Sequence, residues 1–388
     1  MNIEKNNEGS WINNSERKYR RMVDKVNVCY TIIFFGVFLF TWYKVAFFNL
    51  FSGISSLLFI VNVLLLIIHL PLIISKKINL FLFTITLLIL MLLNSIFSNS
   101  NLGSSIVLFN LVIMMVLFSF FRLKEKAIKC ISTMMLIYLL FYCFVQKEMF
   151  NTNSIGYIIL LTYIYSTFYL STLKLKGIFI PVITMISCYF IYLTDSRGAL
   201  LGLCLFTLLA FIIPSKIWSK KINLFLLNFL LSIGSLIFVY TYIHLWQNRF
   251  NISLELFDKP LFTGREAIWT ELFYSFKEHP IVGLGSNYNI VSYGNLNVHN
   301  SMFNILVIYG IPVFCMVVFL IWKNLLSLSE SISRSVFSRI AVSGFYGILL
   351  VGFFETNLVW ASNIFPAIFL IAIAYSSREI SENASKVK

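Results

Sequence analysis

From Val26 to Tyr375 the chain alternates long apolar runs with short polar breaks. Apolar runs of about 18 residues or more read as membrane-crossing helices. Twelve are expected, over 26–43, 52–74, 79–97, 102–121, 128–145, 154–173, 177–194, 198–214, 222–244, 301–322, 337–355 and 360–376. The pattern therefore predicts an all-α, polytopic membrane helix bundle. A basic tail (1–25) precedes a membrane domain (26–376), and a short tail (377–388) follows it. One polar stretch, Leu245 to Asn300, interrupts the apolar pattern as a single large loop. Within it, Arg265 to Glu278 is predicted to be an amphipathic helix, with Ile268, Trp269, Leu272, Phe273 and Phe276 on one arc. Thr263 or Gly264 can start this helix, and Pro280 bars its continuation beyond His279. It should lie on the membrane surface or cap the bundle.

Composition removes other classes. The chain is 59% apolar and 12% charged, with mean hydropathy +0.85, whereas a soluble domain carries about a quarter charged residues. The polar, basic start does not read as a cleavable signal peptide. The six cysteines, Cys29, Cys130, Cys143, Cys188, Cys204 and Cys315, lie in or beside apolar runs without close pairs, and read as small packing residues. A net charge of +14 invites a nucleic-acid partner, but its distribution argues otherwise. With the N-terminus inside, 23 of the 30 Lys and Arg fall on the cytoplasmic side and seven outside. The outer seven are Lys44, Lys147, Arg197, Arg249, Lys259, Arg265 and Lys277. Such asymmetry is the positive-inside rule. It predicts both termini in the cytoplasm, the large loop outside, and no nucleic-acid partner.

Candidate chemistry gathers on that outer side. Arg265 falls in the middle of the apolar arc of its helix and in the first turn, where the macrodipole disfavours a cation; both departures suggest that it answers to an anion. Arg197, in Thr194-Asp195-Ser196-Arg197-Gly198, stands in a turn of a few residues close to the membrane plane. Ionisable groups at that depth are functional candidates, and Gly198, Ala199 and Gly202 let the helix that follows pack closely. His299-Asn300 opens the tenth span, where a neutral imidazole can take a proton from a hydroxyl. Glu355 and Asp195 are rival carboxylates. The turn Asn151 to Gly156, with Asn153, and the glycines Gly283 and Gly285, whose N–H groups can assist an anion, complete the set. No carboxylate cluster suggests a Mg²⁺ cage, so neither a metal nor a cofactor is expected.

These motifs together resemble the Wzy/WaaL-type O-antigen polymerase/ligase superfamily. The resemblance runs from Asn151 to Val313. It rests on Asn151-x-Asn153-x-x-Gly156, on Arg197 with Leu201, and on Gly264-Arg265 with Trp269 and His279-Pro280-Ile281-Val282-Gly283-Leu284-Gly285. It ends on His299-Asn300 followed by Gly310 and Val313, where Val313 departs from the ligase pattern. What the resemblance implies is a bacterial plasma-membrane glycosyltransferase whose donor is a polyprenyl-pyrophosphate-linked oligosaccharide. On that reading His299, Arg197 and Arg265 carry the catalysis. Asn300, Gly283, Gly285, Asn153, Asp195 and Glu355 bind substrate. Polymerisation of O-antigen or capsular repeat units, with a chain-length regulator as an optional partner, is the leading expectation. An O-antigen ligase or a lipid-linked oligosaccharide flippase are the alternatives.

Overall fold

The computed structural model describes residues 4–43, 48–98, 100, 102–145, 152–248, 264–291 and 298–386. Among them every regular element is helical. In order these are α1 (Glu4–Tyr43), α2 (Phe48–Phe97), α3 (Leu102–Leu117), α4 (Glu125–Val145), α5 (Thr152–Leu170), α6 (Lys176–Leu193) and α7 (Arg197–Thr207). They continue as α8 (Ser215–Trp218), α9 (Lys221–Gln247), α10 (Arg265–Glu278), α11 (Ser301–Ser327), α12 (Ser329–Arg334), α13 (Val336–Val351) and α14 (Ala361–Lys386). Asn151, Thr263, Lys44, Lys147, Arg249 and Lys259, all used in the sequence reading, lie outside the described residues.

The chain has six described helices long and apolar enough to cross a membrane, with four shorter apolar helices beside them. The expected runs 52–74 and 79–97 form the two arms of α2, bent where Lys77 leaves helical geometry at φ −147, ψ 46. The N-terminal segment expected as a tail continues α1 back to Glu4.

Burial separates inner from outer helices. On α14 the run from Phe365 to Ala374 is buried on every side, and on α3 Leu111 to Phe118 is equally enclosed. A helix apolar all round belongs in the centre of a bundle. By contrast α2 exposes Leu57, Ile60, Leu64 and Ile67 as one stripe, and α6 and α9 expose Ile178, Met185, Ile222, Leu226 and Leu230. Contiguous apolar surface on this scale is untenable in water, and it makes these the lipid-facing helices of a membrane-embedded protein. Where α7 crosses α13, a Cβ on Gly202 would sit 2.9 Å from the Gly347 carbonyl oxygen, and one on Gly347 would sit 2.8 Å from that of Gly202. The backbones touch there because neither residue has a side chain.

The expected helix Arg265–Glu278 is α10, with the expected boundaries. Ile268, Trp269, Leu272 and Phe276 are its buried face. That face caps α9: the Trp269 ring lies 5.0 Å from Tyr242 and 5.9 Å from Phe238, centroid to centroid.

Candidate active site at the end of the bundle

The centre of the site is Glu355. After α13 ends at Val351 the chain turns tightly, with Phe354 N–H donating to Val351 O (2.9 Å) and Glu355 N–H to the same carbonyl (3.1 Å). Three elements remote in sequence then deliver donors to the carboxylate. Arg265 Nη2 lies 3.0 Å from Oε1, Asn153 Nδ2 donates to Oε1 at 2.8 Å, and His299 Nδ1 lies 3.4 Å from Oε2. Arg265 and Glu355 each keep about a fifth of their side-chain surface exposed, so the pair is shielded yet reachable.

Each donor is held by its own neighbours. Gly264, at φ 88, turns the chain into α10, and its N–H donates to Glu266 Oε1 (3.1 Å), a carboxylate at the helix N-terminus where negative charge is favoured. Arg265 therefore emerges on the inward face of α10, as its position on the apolar arc predicts. Trp269 Nε1 donates to Val298 O (2.6 Å), so the same helix pins the residue next to His299. His299 is left-handed, at φ 48, a conformation uncommon outside glycine.

Asn300 differs from its expected role. It is fully buried and caps α11: Oδ1 accepts from Phe303 N–H (2.9 Å) and from Ser235 Oγ (3.1 Å), while Nδ2 donates to Phe353 O (3.0 Å). It is the joint between α9, α11 and the turn after α13, not a group presented to substrate. Ser301 reinforces the joint by donating from N–H to Gly352 O (2.7 Å) and from Oγ to Glu355 O (2.8 Å).

Arg197 and Asp195 reach the same end of the bundle. A Cβ on Gly198 would lie 3.2 Å from Phe354, the residue before Glu355, and one on Gly156 would lie 2.5 Å from Ser196 Cβ. The α7 N-terminus is thus wedged between the turn holding Glu355 and the helix bearing Asn153. Asp195 is at φ 53; with His299 it is one of the two non-glycine residues at positive φ among those described. Such strain persists only where surrounding structure enforces it, and it concentrates at functional sites.

Gly283 and Gly285 do not form the expected anion cradle. Their N–H groups donate to His279 O (2.8 Å) and Ile308 O (3.1 Å). The cause lies in α11, which breaks at Gly310 (φ 78, ψ 172) and contains Pro312. Proline has no N–H to offer Ile308 O, so Gly285 supplies one. Ile311 N–H turns away to Pro280 O (2.9 Å), and Leu284 N–H takes the freed Val307 O (2.7 Å). Tyr309 O accepts from Asn94 Nδ2 (2.8 Å), which also bonds Val282 O. Ile308 O, Val307 O, Ile311 N–H and Tyr309 O, displaced by the break, thus find partners in the glycine turn or on α2, as backbone at membrane depth must. A Cβ at Gly310 would meet Ile281 O at 2.0 Å, and one at Gly283 would meet Ile308 O at 2.5 Å. The two glycine motifs are two halves of one latch. Asn94 was missed by the sequence reading, although a lone amide in an apolar run signals a buried hydrogen-bonding task.

Among the described residues, no group of three or more His, Cys, Asp or Glu side chains is placed to hold a metal ion.

Residues 182–318 match the family model described as O-antigen ligase. The match runs from α6 into α11 and includes Arg197, Arg265 and His299, while Asn153 and Glu355 lie outside it. Over residues 182–318 the chain is thus similar to the Wzy/WaaL-type superfamily that the motifs resemble. No curated protein and no solved structure matches the chain. The family is one of bacterial membrane enzymes that process glycans, and it implies a glycosyltransferase-like activity.

Proposed function

We propose that this protein polymerises polyprenyl-pyrophosphate-linked oligosaccharide repeat units of an O-antigen or capsular polysaccharide at the outer face of the plasma membrane. The observation that carries this reading is the convergence of Arg265, His299 and Asn153 on Glu355 at one end of a membrane bundle. An acceptor sugar hydroxyl attacks the anomeric carbon of the donor. The bond from that carbon to the pyrophosphate oxygen breaks, and its electron pair leaves with the lipid pyrophosphate. The hydroxyl proton passes to His299, whose other ring nitrogen faces Glu355, so the carboxylate orients the ring and stabilises the imidazolium.

The departing pyrophosphate needs cations. Arginine suits it because its planar fork binds phosphate oxygens bidentately and stays charged. Arg265 is the first such group, held ready by Glu355, and Arg197 is the second. The donor is already activated by its leaving group, so the chemistry requires no nucleotide and, on this reading, no metal. The cation asymmetry of the sequence supports an outward-facing site with both termini in the cytoplasm. A chain-length regulator, if one acts, meets the membrane helices or the outer loop.

The family description favours one second reading, a ligase that passes finished glycan to a different acceptor. Purified protein supplied with lipid-linked repeat units alone distinguishes the two. A polymerase gives a ladder of products on a gel. A ligase gives none until its acceptor is added, and then a single transfer.

A further inference from the structure

His299 and Arg265, assigned above to the entering hydroxyl and the departing pyrophosphate, come from different segments of the chain, yet one side chain ties them together. Trp269 follows Arg265 by about one turn on the inward face of α10. Its indole N–H donates to the carbonyl oxygen of Val298 (2.6 Å), the residue joined to His299 by a peptide bond. The ring is itself held, 5.0 Å from that of Tyr242 and 5.9 Å from that of Phe238, both on α9. Trp269 is 1% exposed and Val298 0%, so water does not reach the bond and cannot stand in for the donor.

The other flank of His299 is fastened as well. Asn300 Nδ2 donates to Phe353 O and Ser301 Oγ to Glu355 O, which ties the chain after His299 to the turn carrying Glu355. His299 sits between the two fastenings at φ 48, a backbone state that persists only where its surroundings enforce it. The two flanks align different pairs. Asn300 and Ser301 set His299 against Glu355. Trp269 sets it against Arg265, because Trp269 and Arg265 ride on the same helix. In the proposed transfer the hydroxyl enters as the pyrophosphate oxygen departs, so base and anion ligand must keep a fixed separation. Misplacing one of them by ~1 Å costs about 10²-fold in rate.

We propose that Trp269 is a positioning residue for the transfer: its indole N–H fixes the separation of Arg265 from His299. The inference rests on the roles proposed for those two residues, and it adds a group that acts through them without a part in the bond changes.

Trp269→Phe tests it in the purified full-length protein, because phenylalanine keeps an aromatic ring beside Tyr242 and Phe238 and removes the donor. On lipid-linked repeat units kcat should fall by ~10²-fold while KM stays within about threefold of wild type, the split expected when only the transition state loses an interaction. Thr270→Ala is the control: it removes the Thr270 Oγ1 bond to Glu266 O inside α10 and leaves Val298 alone, so kcat should stay within about twofold of wild type. Hydrogen exchange supplies a readout that needs no turnover. The peptide containing Val298 to Ser301 should exchange roughly fivefold faster in Trp269→Phe, the equivalent of one lost hydrogen bond, with the α11 peptides unchanged. Where Trp269→Phe does not fold, benzothienylalanine at position 269 replaces it, since sulfur then takes the place of the N–H in a side chain of the same shape. Unchanged exchange overturns the proposal whatever the substrate. A kcat near wild type, or an equal fall in Thr270→Ala, also overturns it. A wild-type protein that turns over no lipid-linked repeats sinks the functional reading instead, and exchange alone then decides whether Trp269 holds the His299 segment.

Discussion

Arg265 and Glu355 are ninety positions apart in the chain, yet their side chains meet at 3.0 Å. Glu355 is shared with Asn153 and faces His299, so one carboxylate organises the candidate phosphate ligand and the candidate base together. On the proposed function, a bound pyrophosphate would compete for Arg265 and leave Glu355 to His299.

That relationship makes Glu355→Gln informative. The amide keeps the size of the side chain and can still meet Asn153, but loses the charge that holds Arg265 and orients His299. A partly exposed ion pair contributes only ~0–1 kcal/mol to stability, so the melting temperature should barely change. Turnover on lipid-linked repeats should fall by ~10²-fold, the loss typical of a general acid–base arrangement. Turnover near wild type in a folded variant would reduce Glu355 to a surface carboxylate.

The glycine latch predicts a stability effect. Gly310→Ala and Gly283→Ala place a Cβ 2.0 Å and 2.5 Å from backbone atoms, at positive φ. Both should lower the melting temperature of purified protein sharply or prevent its accumulation, since strain at such φ alone costs about 1 kcal/mol or more. Gly36→Ala, with nothing within 4 Å of the new Cβ, should be neutral or slightly stabilising. Equal tolerance at all three positions would show that the latch does not hold the broken α11.

The helix α10 was legible in the sequence because its signals are local: an apolar arc at helical spacing, Gly264 before it and Pro280 after it. The helical, membrane-spanning character was legible in the apolar runs, but the count of twelve spans is not confirmed: six described helices are long and apolar enough to cross a membrane, and the bend at Lys77 joins two expected runs into one helix. Glu355 stands in the sequence as one of two rival carboxylates, because its partners lie 202, 90 and 56 positions away. Its rank comes from tertiary contact alone. Gly283 and Gly285 misled for a physical reason. A glycine-rich turn presents the same backbone whether it faces phosphate or a broken helix, and only the position of Gly310 and Pro312 in space decides between them. Asn300, expected to touch substrate, is an N-cap, a role its residue type also fits.

Topology is testable in a background with the six native cysteines replaced by alanine. Lys277→Cys and Ser333→Cys both place a thiol at an exposed position, on α10 and α12 respectively. An impermeant thiol reagent should label the first in intact cells and the second only after permeabilisation. The reverse order would put the candidate site in the cytoplasm.

The proposed use of arginines as the anion ligands predicts metal independence. Elongation in excess EDTA should proceed at close to the untreated rate. Loss in EDTA with rescue by Mg²⁺ or Mn²⁺ would assign the pyrophosphate to a metal ion instead.

The central claim is that Arg265 binds the departing pyrophosphate through its fork, and turnover of Arg265→Lys on lipid-linked substrate tests it most directly. Lysine keeps the charge and an ion pair with Glu355, so the fold and membrane level should persist. It offers a point charge without the bidentate geometry, and loss of one preorganised donor at a developing charge costs ~10²–10³-fold in rate. The account predicts a fall of that order. A rate within about twofold of wild type would remove Arg265 from the site and contradict the account.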